Sequence, residues 1–308
     1  MKREPPHKNG LAHAAWYRRR LFIGVCLSGF LLAASPAFAA PIVLSNATTE
    51  LTVFGGEADN GAADYGGYFQ YVDLATGEET TWSIDPIIKF VDGSTVNLAN
   101  GLFDGFGSPE DLGGGIVGSV ALDTVTVVAY TELIGTIART TFDFVAAPGF
   151  SLEGLSFIFA AENDLFGFAD DAAMFTGSIA GGDLNLFQFD SAAGGLTVRL
   201  SGEAVKGSTL DLFGSGLYSG FGTSLEAGDL TVLSADGSNF VTSGDLGLAL
   251  AFSLNDDGPC NCAQIVIDYD TQLEPPDDAP PIPEPGTMVL LGTGCLGLFL
   301  HRRYRKKS

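Results

Sequence analysis

The chain has 308 residues, with 15 Lys and Arg against 37 Asp and Glu, which gives a net charge of −22 near neutral pH. All but two of the acids lie between Glu50 and Asp278, and this strongly acidic body excludes nucleic acid as a natural partner. The three histidines lie outside the body, which excludes a Ser/His/Asp or Cys/His catalytic centre and a histidine-ligated zinc or iron site within it.

Residues 1–39 predict an export signal. A basic stretch ending in Arg18, Arg19 and Arg20 precedes 14 apolar residues, and small residues at Ala37 and Ala39 satisfy the rule for signal cleavage. A helix of that length spans only about 21 Å, short of the ~30 Å hydrocarbon core. We therefore expect the secretion machinery to export the chain and a signal peptidase to cut after Ala39. The arginine pair also resembles a twin-arginine signal, but the apolar run favours the general secretory route.

Residues 40–273 form the acidic body, and their pattern predicts antiparallel strands. Leu196, Val198 and Leu200 alternate with polar residues, and large apolar residues alternate again along 248–254, so both segments are expected to be half-buried strands. Runs rich in β-branched and aromatic residues predict further strands at 124–130, 140–145, 155–159 and 264–269.

Turn signals and glycines complete the prediction of the fold class. Asp92-Gly93 and Asp236-Gly237 are typical of two-residue hairpin turns. Glycines interrupt every helical period, so no helix is expected beyond a short turn near Pro109. We therefore predict an all-β body, built as a two-sheet antiparallel β-sandwich or jelly roll.

An internal repeat within the body indicates a duplication. Residues 91–98 recur as 205–212, and residues 101–108 recur as 216–223, with five identical positions in each pair of blocks. The predicted repeat units lie near 91–164 and 205–257, as two halves of one sandwich or as two small domains in tandem.

Candidate sites in the body begin with its carboxylates. The oxygen-rich loop around Asp164, Asp170 and Asp171 suits Ca²⁺ but lacks the EF-hand spacing, so solvated loop charge is the favoured interpretation and a calcium site the alternative. No other cofactor is expected. A secreted hydrolase would need two converging carboxylates, and no catalytic motif identifies such a pair. We therefore expect no enzymatic activity.

Aromatic residues and cysteines supply two further candidates. Phe106 and Phe221 occupy equivalent positions in glycine-rich aromatic segments that would suit carbohydrate binding, although hairpin cores are the more frequent role of such segments. Cys260 and Cys262 are the cysteines of the body, and they would form a C-x-C disulfide or a catalytic redox pair. A local staple is the favoured interpretation.

The C-terminus has three parts after a proline-rich linker at 274–282. Pro283, Glu284 and Pro285 precede an apolar segment, 286–300, which predicts a short transmembrane helix. A basic tail follows, and because short basic segments stay cytoplasmic, the acidic body is expected outside the inner membrane. The tail contains Arg302, Arg303, Arg305, Lys306 and Lys307.

This arrangement resembles the PEP-CTERM sorting signal of Gram-negative bacteria, over about 25 residues. The resemblance implies processing near the motif by an exosortase, and delivery to the cell envelope, outer surface or extracellular matrix. We expect an acidic matrix protein with a structural or adhesive role in a biofilm, with exopolysaccharide and divalent cations as partners. A carbohydrate-binding module is the alternative, and a secreted hydrolase is a third hypothesis.

Overall fold

The computed structural model describes residues 39–55, 68–81, 83–99, 110–112, 114–163, 165, 171–190, 196–257 and 260–272. Strands dominate these residues, with one α-helix and one short 3-10 helix among them. The elements are β1 (Ala39–Ser45), β2 (Thr49–Gly55), β3 (Phe69–Asp73), β4 (Glu78–Glu79), β5 (Ser83–Lys89), β6 (Thr95–Asn97), β7 (Glu110–Asp111), β8 (Ile116–Ala121), β9 (Val125–Ile134), β10 (Ile137–Ala146), β11 (Ser156–Glu162), β12 (Asp171–Thr176), β13 (Asn185–Asp190), β14 (Thr197–Lys206), β15 (Ser208–Leu217), α1 (Tyr218–Glu226), the 3-10 helix Leu230–Val232, β16 (Leu246–Leu254) and β17 (Cys262–Gln272).

The strands form three antiparallel sheets. The orders are β1-β2-β3-β4 in a four-stranded sheet, β12-β13-β14-β17-β10-β9-β8-β7 in an eight-stranded sheet, and β15-β16-β11-β5-β6 in a five-stranded sheet. The predicted antiparallel β class is confirmed, and the separate four-stranded sheet is an addition to the two sheets expected. Strands β9, β10, β11 and β17 coincide with runs that the sequence predicted.

Along β8, β9 and β10 the eight-stranded sheet has one buried and one solvated face, as the alternating sequence of these strands requires. Burial alternates along β10, where Phe142 and Phe144 are fully buried while the intervening residues are partly exposed. On the outer face Arg139 pairs with its cross-strand neighbour Asp268, with Nη2 2.7 Å from Oδ2. In this part of the sheet the outer face is therefore polar and carries an ion pair.

The inner face of the eight-stranded sheet packs against the five-stranded sheet through aromatic side chains. The ring of Phe157 on β11 lies 4.8 Å from that of Phe142 and 5.1 Å from that of Phe144, measured between ring centroids. Phe252 on β16 lies 6.4 Å from Phe157 on the same side. Because Phe157 and Phe252 are at most 1% exposed, this layer is the centre of the hydrophobic core.

The four-stranded sheet covers a neighbouring part of that inner face. Tyr68, just before β3, has its ring 6.2 Å from Phe142, and Tyr71 on β3 has its ring 5.3 Å from Tyr269 on β17. Phe69 contacts Tyr269 edge to face at 5.7 Å. Tyr68, Phe69 and Tyr71 are therefore core residues.

The other face of the five-stranded sheet is covered by α1 and the 3-10 helix. Phe221 and Leu225 of α1 cluster there with Ala249 and Ala251 of β16. Strand β16 is therefore buried on both faces, and the prediction of a half-buried strand is wrong at 248–254. The second face of β16 carries alanines, whose small side chains leave room for α1. In the sequence these alanines alternate with leucines, a pattern that is typical of a strand with one solvated face.

The predicted turns have two outcomes. Asp92 and Gly93 lie in the loop between β5 and β6, where Lys89 pairs with Thr95, so a hairpin is present with a longer loop than two residues. Asp236 and Gly237 follow the 3-10 helix within the long connection between the paired strands β15 and β16, so the prediction of a two-residue hairpin turn there is wrong. Pro109 lies outside the described residues.

The repeated blocks occupy opposite edges of the five-stranded sheet. The first block contributes β6, which pairs with β5, and the second contributes β15, which pairs with β16. Residues 100–109 lie outside the described part of the chain, so the duplication stays a prediction.

Candidate functional sites

Several predicted site residues lie outside the described residues: Ala37, Asp164, Asp170, Pro283, Glu284, Pro285, Arg302, Arg303, Arg305, Lys306 and Lys307. The predicted transmembrane segment 286–300 lies there too. In the part of the chain that is described, no helix has the length and apolar character to cross a bilayer. Ala39 is the first residue of β1 and precedes a shift in register, so cleavage after it would leave the pairing of Ile42 with Val53 in place.

Asp171 begins β12 and is only 1% exposed, so its carboxylate is not a solvated loop charge. Gln188 Nε2 donates to Asp171 Oδ2 at 2.7 Å and to the backbone oxygen of Asn163 at 3.1 Å. Asn163 Nδ2 in turn donates to Gln188 Oε1 at 2.9 Å. Gln188 thus ties the start of β12 to the residue that follows β11. Across the described ranges, no group of three or more His, Cys, Asp or Glu side chains is placed to hold a metal ion.

The hydrogen-bonded network of Asp171, Gln188 and Asn163 continues to Tyr269 and Thr80. The hydroxyl of Tyr269 donates to Asn163 Oδ1 at 2.8 Å and lies 3.0 Å from Thr80 Oγ1. Burial raises the pKa of Tyr269 well above its ordinary value, so this hydroxyl remains a neutral donor. We call Asp171, Gln188, Asn163, Tyr269 and Thr80 the buried polar chain.

The buried polar chain connects all three sheets. Asp171, Gln188 and Tyr269 belong to the eight-stranded sheet, Asn163 follows a strand of the five-stranded sheet, and Thr80 follows the last strand of the four-stranded sheet. A buried polar network favours one arrangement of the sheets that it connects. Any other arrangement would leave buried polar atoms without hydrogen-bond partners. The buried polar chain therefore holds the three sheets in one arrangement.

A second buried group supports the same junction. Thr271 Oγ1 lies 3.1 Å from the Tyr71 hydroxyl and donates to Asp73 Oδ2 at 3.2 Å. Asp73 Oδ1 also accepts from the backbone N–H groups of Ala75 and Thr76, so it fixes the turn before β4. Burial, with a smaller contribution from nearby carboxylates, raises the pKa of Tyr71. These residues attach the four-stranded sheet to β17.

Two carboxylates approach one side-chain amide beside α1. Asn97 Nδ2 lies 2.8 Å from Asp85 Oδ1 and 3.5 Å from Glu226 Oε1, and Ser83 Oγ donates to Asp85 Oδ2 at 2.7 Å. Burial raises the pKa of Asp85 against the opposing effect of these hydrogen bonds. The pair is the kind of arrangement that the hydrolase hypothesis requires, but Asp85 Oδ1 already accepts from Asn97 of β6 and Oδ2 from Ser83 of its own strand.

An aromatic cleft lies at the β12 edge of the eight-stranded sheet. It has a volume of about 400 Å³. The ring of Phe175 lies 5.2 Å from that of Phe240, and both rings are half-buried. Residues after Gly237 approach β12 closely enough for Ala173 N–H to donate to the oxygen of Thr242 at 3.1 Å. The lining consists of Ala172, Ala173, Met174, Phe175, Phe189, Gly237, Phe240 and Thr242.

The cleft was not predicted, and the aromatic residue that was predicted for ligand contact is buried. Phe221 is 6% exposed, and its ring fills the space above Gly216, where an added Cβ would lie 2.5 Å from the ring. Phe106 lies outside the described residues. Phe175 and Phe240 are far apart in sequence and are not part of a glycine-aromatic motif, so only the fold brings them together.

The cysteines of the body lie at the start of β17. Cys260 and Cys262 are joined by a disulfide, with their Cα atoms 5.2 Å apart. Lys206 Nζ lies 3.2 Å from Cys260 Sγ and 3.1 Å from Cys262 Sγ. Cys260 is half-buried and Cys262 is 9% exposed, so Cys260 is the more exposed residue of the two. The spacing of the cysteines was apparent in the sequence, whereas the lysine was not.

The described body thus belongs to the class of antiparallel all-β proteins with a polar outer face. Beyond it, residues 281–306 match the PEP-CTERM protein-sorting motif. The chain therefore carries this motif at its C-terminus, and the prediction from Pro283, Glu284 and Pro285 is confirmed. PEP-CTERM motifs direct processing by an exosortase, as the resemblance implied.

No curated protein matches the chain. Among solved structures, the chain is similar to heparinase III, the BT4657 gene product, at 9% identity and a TM-score of 0.42, over 88% of this chain and 42% of that one. It is similar to the 4-alpha-glucanotransferase of Thermococcus litoralis at 9% identity and a TM-score of 0.33, over 75% of this chain and 37% of that one. It is also similar to heparan sulfate lyase HepC of Pedobacter heparinus, at 9% identity and a TM-score of 0.26, over 84% of this chain and 41% of that one. The chain spans less than half the length of each, and TM-scores this low do not establish a common fold.

Proposed function

We propose that this chain is an exported protein that an exosortase processes, and that its acidic β body is retained in the envelope, at the outer surface or in the extracellular matrix of a Gram-negative cell. There it has a structural or adhesive role and no enzymatic activity. The observation that carries the proposal is the PEP-CTERM motif at 281–306. The predicted signal peptide supports it, because both ends place the body outside the inner membrane.

The distribution of charge supports an interaction with polymer through cations. Two of the four basic residues of the body, Arg139 and Arg199, are already paired with Asp268 and Asp270. Residues 40–273 contain only these four basic residues against 32 Asp and Glu, so the net charge of the body is strongly negative. Divalent cations that neutralise such a surface would link one molecule to another, or to an anionic polysaccharide.

Hydrogen bonds stabilise the ionised form of three exposed carboxylates. Side-chain hydroxyls of Ser94, Thr231 and Ser151 donate to these carboxylates at 2.6 Å in each case. These bonds, with backbone N–H donors, lower the pKa of each carboxyl, so each becomes protonated at a lower pH than an ordinary carboxyl. The three carboxyls are Asp92, Asp229 and Asp256.

Cell fractionation of motif variants tests the proposal. The triple variant P283A/E284A/P285A removes the sorting motif, and P275A/P276A/P280A makes a similar change in the linker a few residues earlier. We expect the wild type and the linker variant to reach the outer surface or the medium without the basic tail. The motif variant is expected to stay with the inner membrane and keep the tail. Equal sorting of all three proteins would contradict the proposal.

A carbohydrate-binding role is the second candidate, and the aromatic cleft supports it. The half-buried rings of Phe175 and Phe240 line this cleft and pack against Phe213, and the exposed part of each ring is apolar surface of the kind on which sugar rings stack. We expect binding on a glycan array to be lost in Phe240→Ala and kept in Phe150→Ala, a change at a 48% exposed ring outside the cleft lining. Equal binding by the two variants, or no binding by the wild type, would exclude the cleft as a glycan site.

A further inference from the structure

Lys206 lies beside the disulfide between Cys260 and Cys262, although a purely structural disulfide does not require a charged neighbour. Lys206 Nζ lies within 3.2 Å of both sulfurs. A disulfide sulfur is neutral and a weak acceptor, so an ammonium group gains little from it. A thiolate carries a full negative charge, and a neighbouring ammonium group stabilises it strongly. The position of Lys206 is therefore better suited to the reduced pair than to the oxidised one.

The backbone fixes Lys206 in this position. β14 pairs with β17 up to Lys206, opposite Gln264, with a register shift between Ala204 and Lys206. Gly207 follows with a φ of +54°, and a Cβ on it would lie 2.5 Å from the backbone oxygen of Cys262. A glycine is thus required where the chain turns from the eight-stranded to the five-stranded sheet, and this close turn holds Lys206 over the cysteines.

The two cysteines differ in exposure, and this difference favours attack by an external thiol at Cys260. Cys260 is half-buried and next to the exposed Asn261, whereas Cys262 is 9% exposed at the start of β17. An external thiolate therefore reaches Cys260 Sγ first. The leaving sulfur is then Cys262 Sγ, which lies 3.1 Å from Lys206 Nζ.

We propose that Cys260 and Cys262 are a redox-active pair that exchanges with an external dithiol, and that Lys206 stabilises the thiolate that leaves. In the first step a partner thiolate bonds to Cys260 Sγ, the bond between Cys260 and Cys262 breaks, and its electron pair stays on Cys262 Sγ. In the second step the other partner thiolate attacks the partner's own sulfur in the mixed disulfide, and that electron pair stays on Cys260 Sγ. The partner loses two electrons and becomes a disulfide, while the two thiol protons it releases are available to the cysteines.

The test uses purified full-length protein carrying Cys26→Ser and Cys295→Ser, so that Cys260 and Cys262 are its two cysteines. The protein is equilibrated with mixtures of reduced and oxidised dithiothreitol, quenched in acid, alkylated and counted by mass. Lys206→Gln removes the ammonium group, and Lys89→Gln makes the same change of charge at a lysine on β5. The thiolate population of each reduced protein is followed by ultraviolet absorbance across pH.

We expect Lys206→Gln to shift the equilibrium roughly tenfold toward the disulfide and to reduce the thiolate population at a given pH. Lys89→Gln should change neither. Equal behaviour of the two variants would overturn the proposal and leave a structural cross-link. If Lys206→Gln does not fold, the alkylation rate of the reduced protein is compared with that of a peptide of residues 257–263, which lacks the lysine. Reaction of the protein at lower pH than the peptide supports the proposal, and reaction at the same or higher pH overturns it.

Discussion

Tyr269→Phe removes one hydroxyl from the buried polar chain and tests how the three sheets are held together. The phenylalanine ring keeps the contacts with Phe69 and Tyr71, so the apolar packing is unchanged. The variant loses the donor to Asn163 Oδ1 at 2.8 Å and the contact with Thr80 Oγ1 at 3.0 Å. A buried acceptor left without its donor costs about 1–3 kcal/mol, and we expect the free energy of unfolding to fall by that amount.

Urea unfolding measures this loss as a lower midpoint with an unchanged slope. Thr80→Val removes the hydroxyl opposite Tyr269, so the double variant should lose less than the sum of the single changes, with a coupling of about 0.5–1.5 kcal/mol. Tyr68→Phe is the matched control, because the partner of its hydroxyl is Thr131, and its effect should add to that of Thr80→Val. A loss below about 0.5 kcal/mol for Tyr269→Phe, or strict additivity with Thr80→Val, would refute a bridging role for the hydroxyl.

Three further predictions concern the core, the pH dependence and the charge. Phe157→Ala should lower the free energy of unfolding by about 3–5 kcal/mol in urea, because it empties the centre of the core, whereas Phe150→Ala at an exposed ring should cost less than about 1 kcal/mol. Burial raises the pKa of Asp85 in the folded protein, so the wild type loses stability as pH rises through that pKa. The free energy of unfolding of Asp85→Asn should therefore rise relative to that of the wild type as pH rises. A difference in this free energy that stays constant across pH would contradict the prediction. Calcium should induce association of the protein in light scattering and a chelator should reverse it, while sodium at equal ionic strength should not. If calcium and chelator leave the light scattering unchanged, the proposed link through divalent cations is wrong.

The sequence was sufficient for the β class and for much of the strand pattern. Strands with one solvated face, such as β10, alternate apolar and polar residues, and this period is local information. The PEP-CTERM motif was predictable for the same reason, since it is a short linear pattern. β16 was predicted with a solvated face because its second face is made of small residues, and only the three-dimensional structure places a helix over them.

The helix α1 and the buried polar chain could not be predicted, for different physical reasons. α1 contains Gly220 and Gly222, which disfavour helix, and it is held by the burial of Phe221 and Leu225 rather than by its own propensity. The buried polar chain joins residues from Thr80 to Tyr269, so no local spacing indicates it. The contact of Lys206 with the cysteines likewise depends on the pairing of β14 with β17.

The intact mass of the native protein, recovered separately from the cell envelope and the medium, tests the central claim most directly. It reports both processing events in one measurement, and it requires no knowledge of the ligand. The proposed function predicts a mass that lacks residues 1–39 and everything beyond the region of Pro283, Glu284 and Pro285. A native protein that keeps the basic tail would contradict it, and would make the chain a membrane-tethered protein instead.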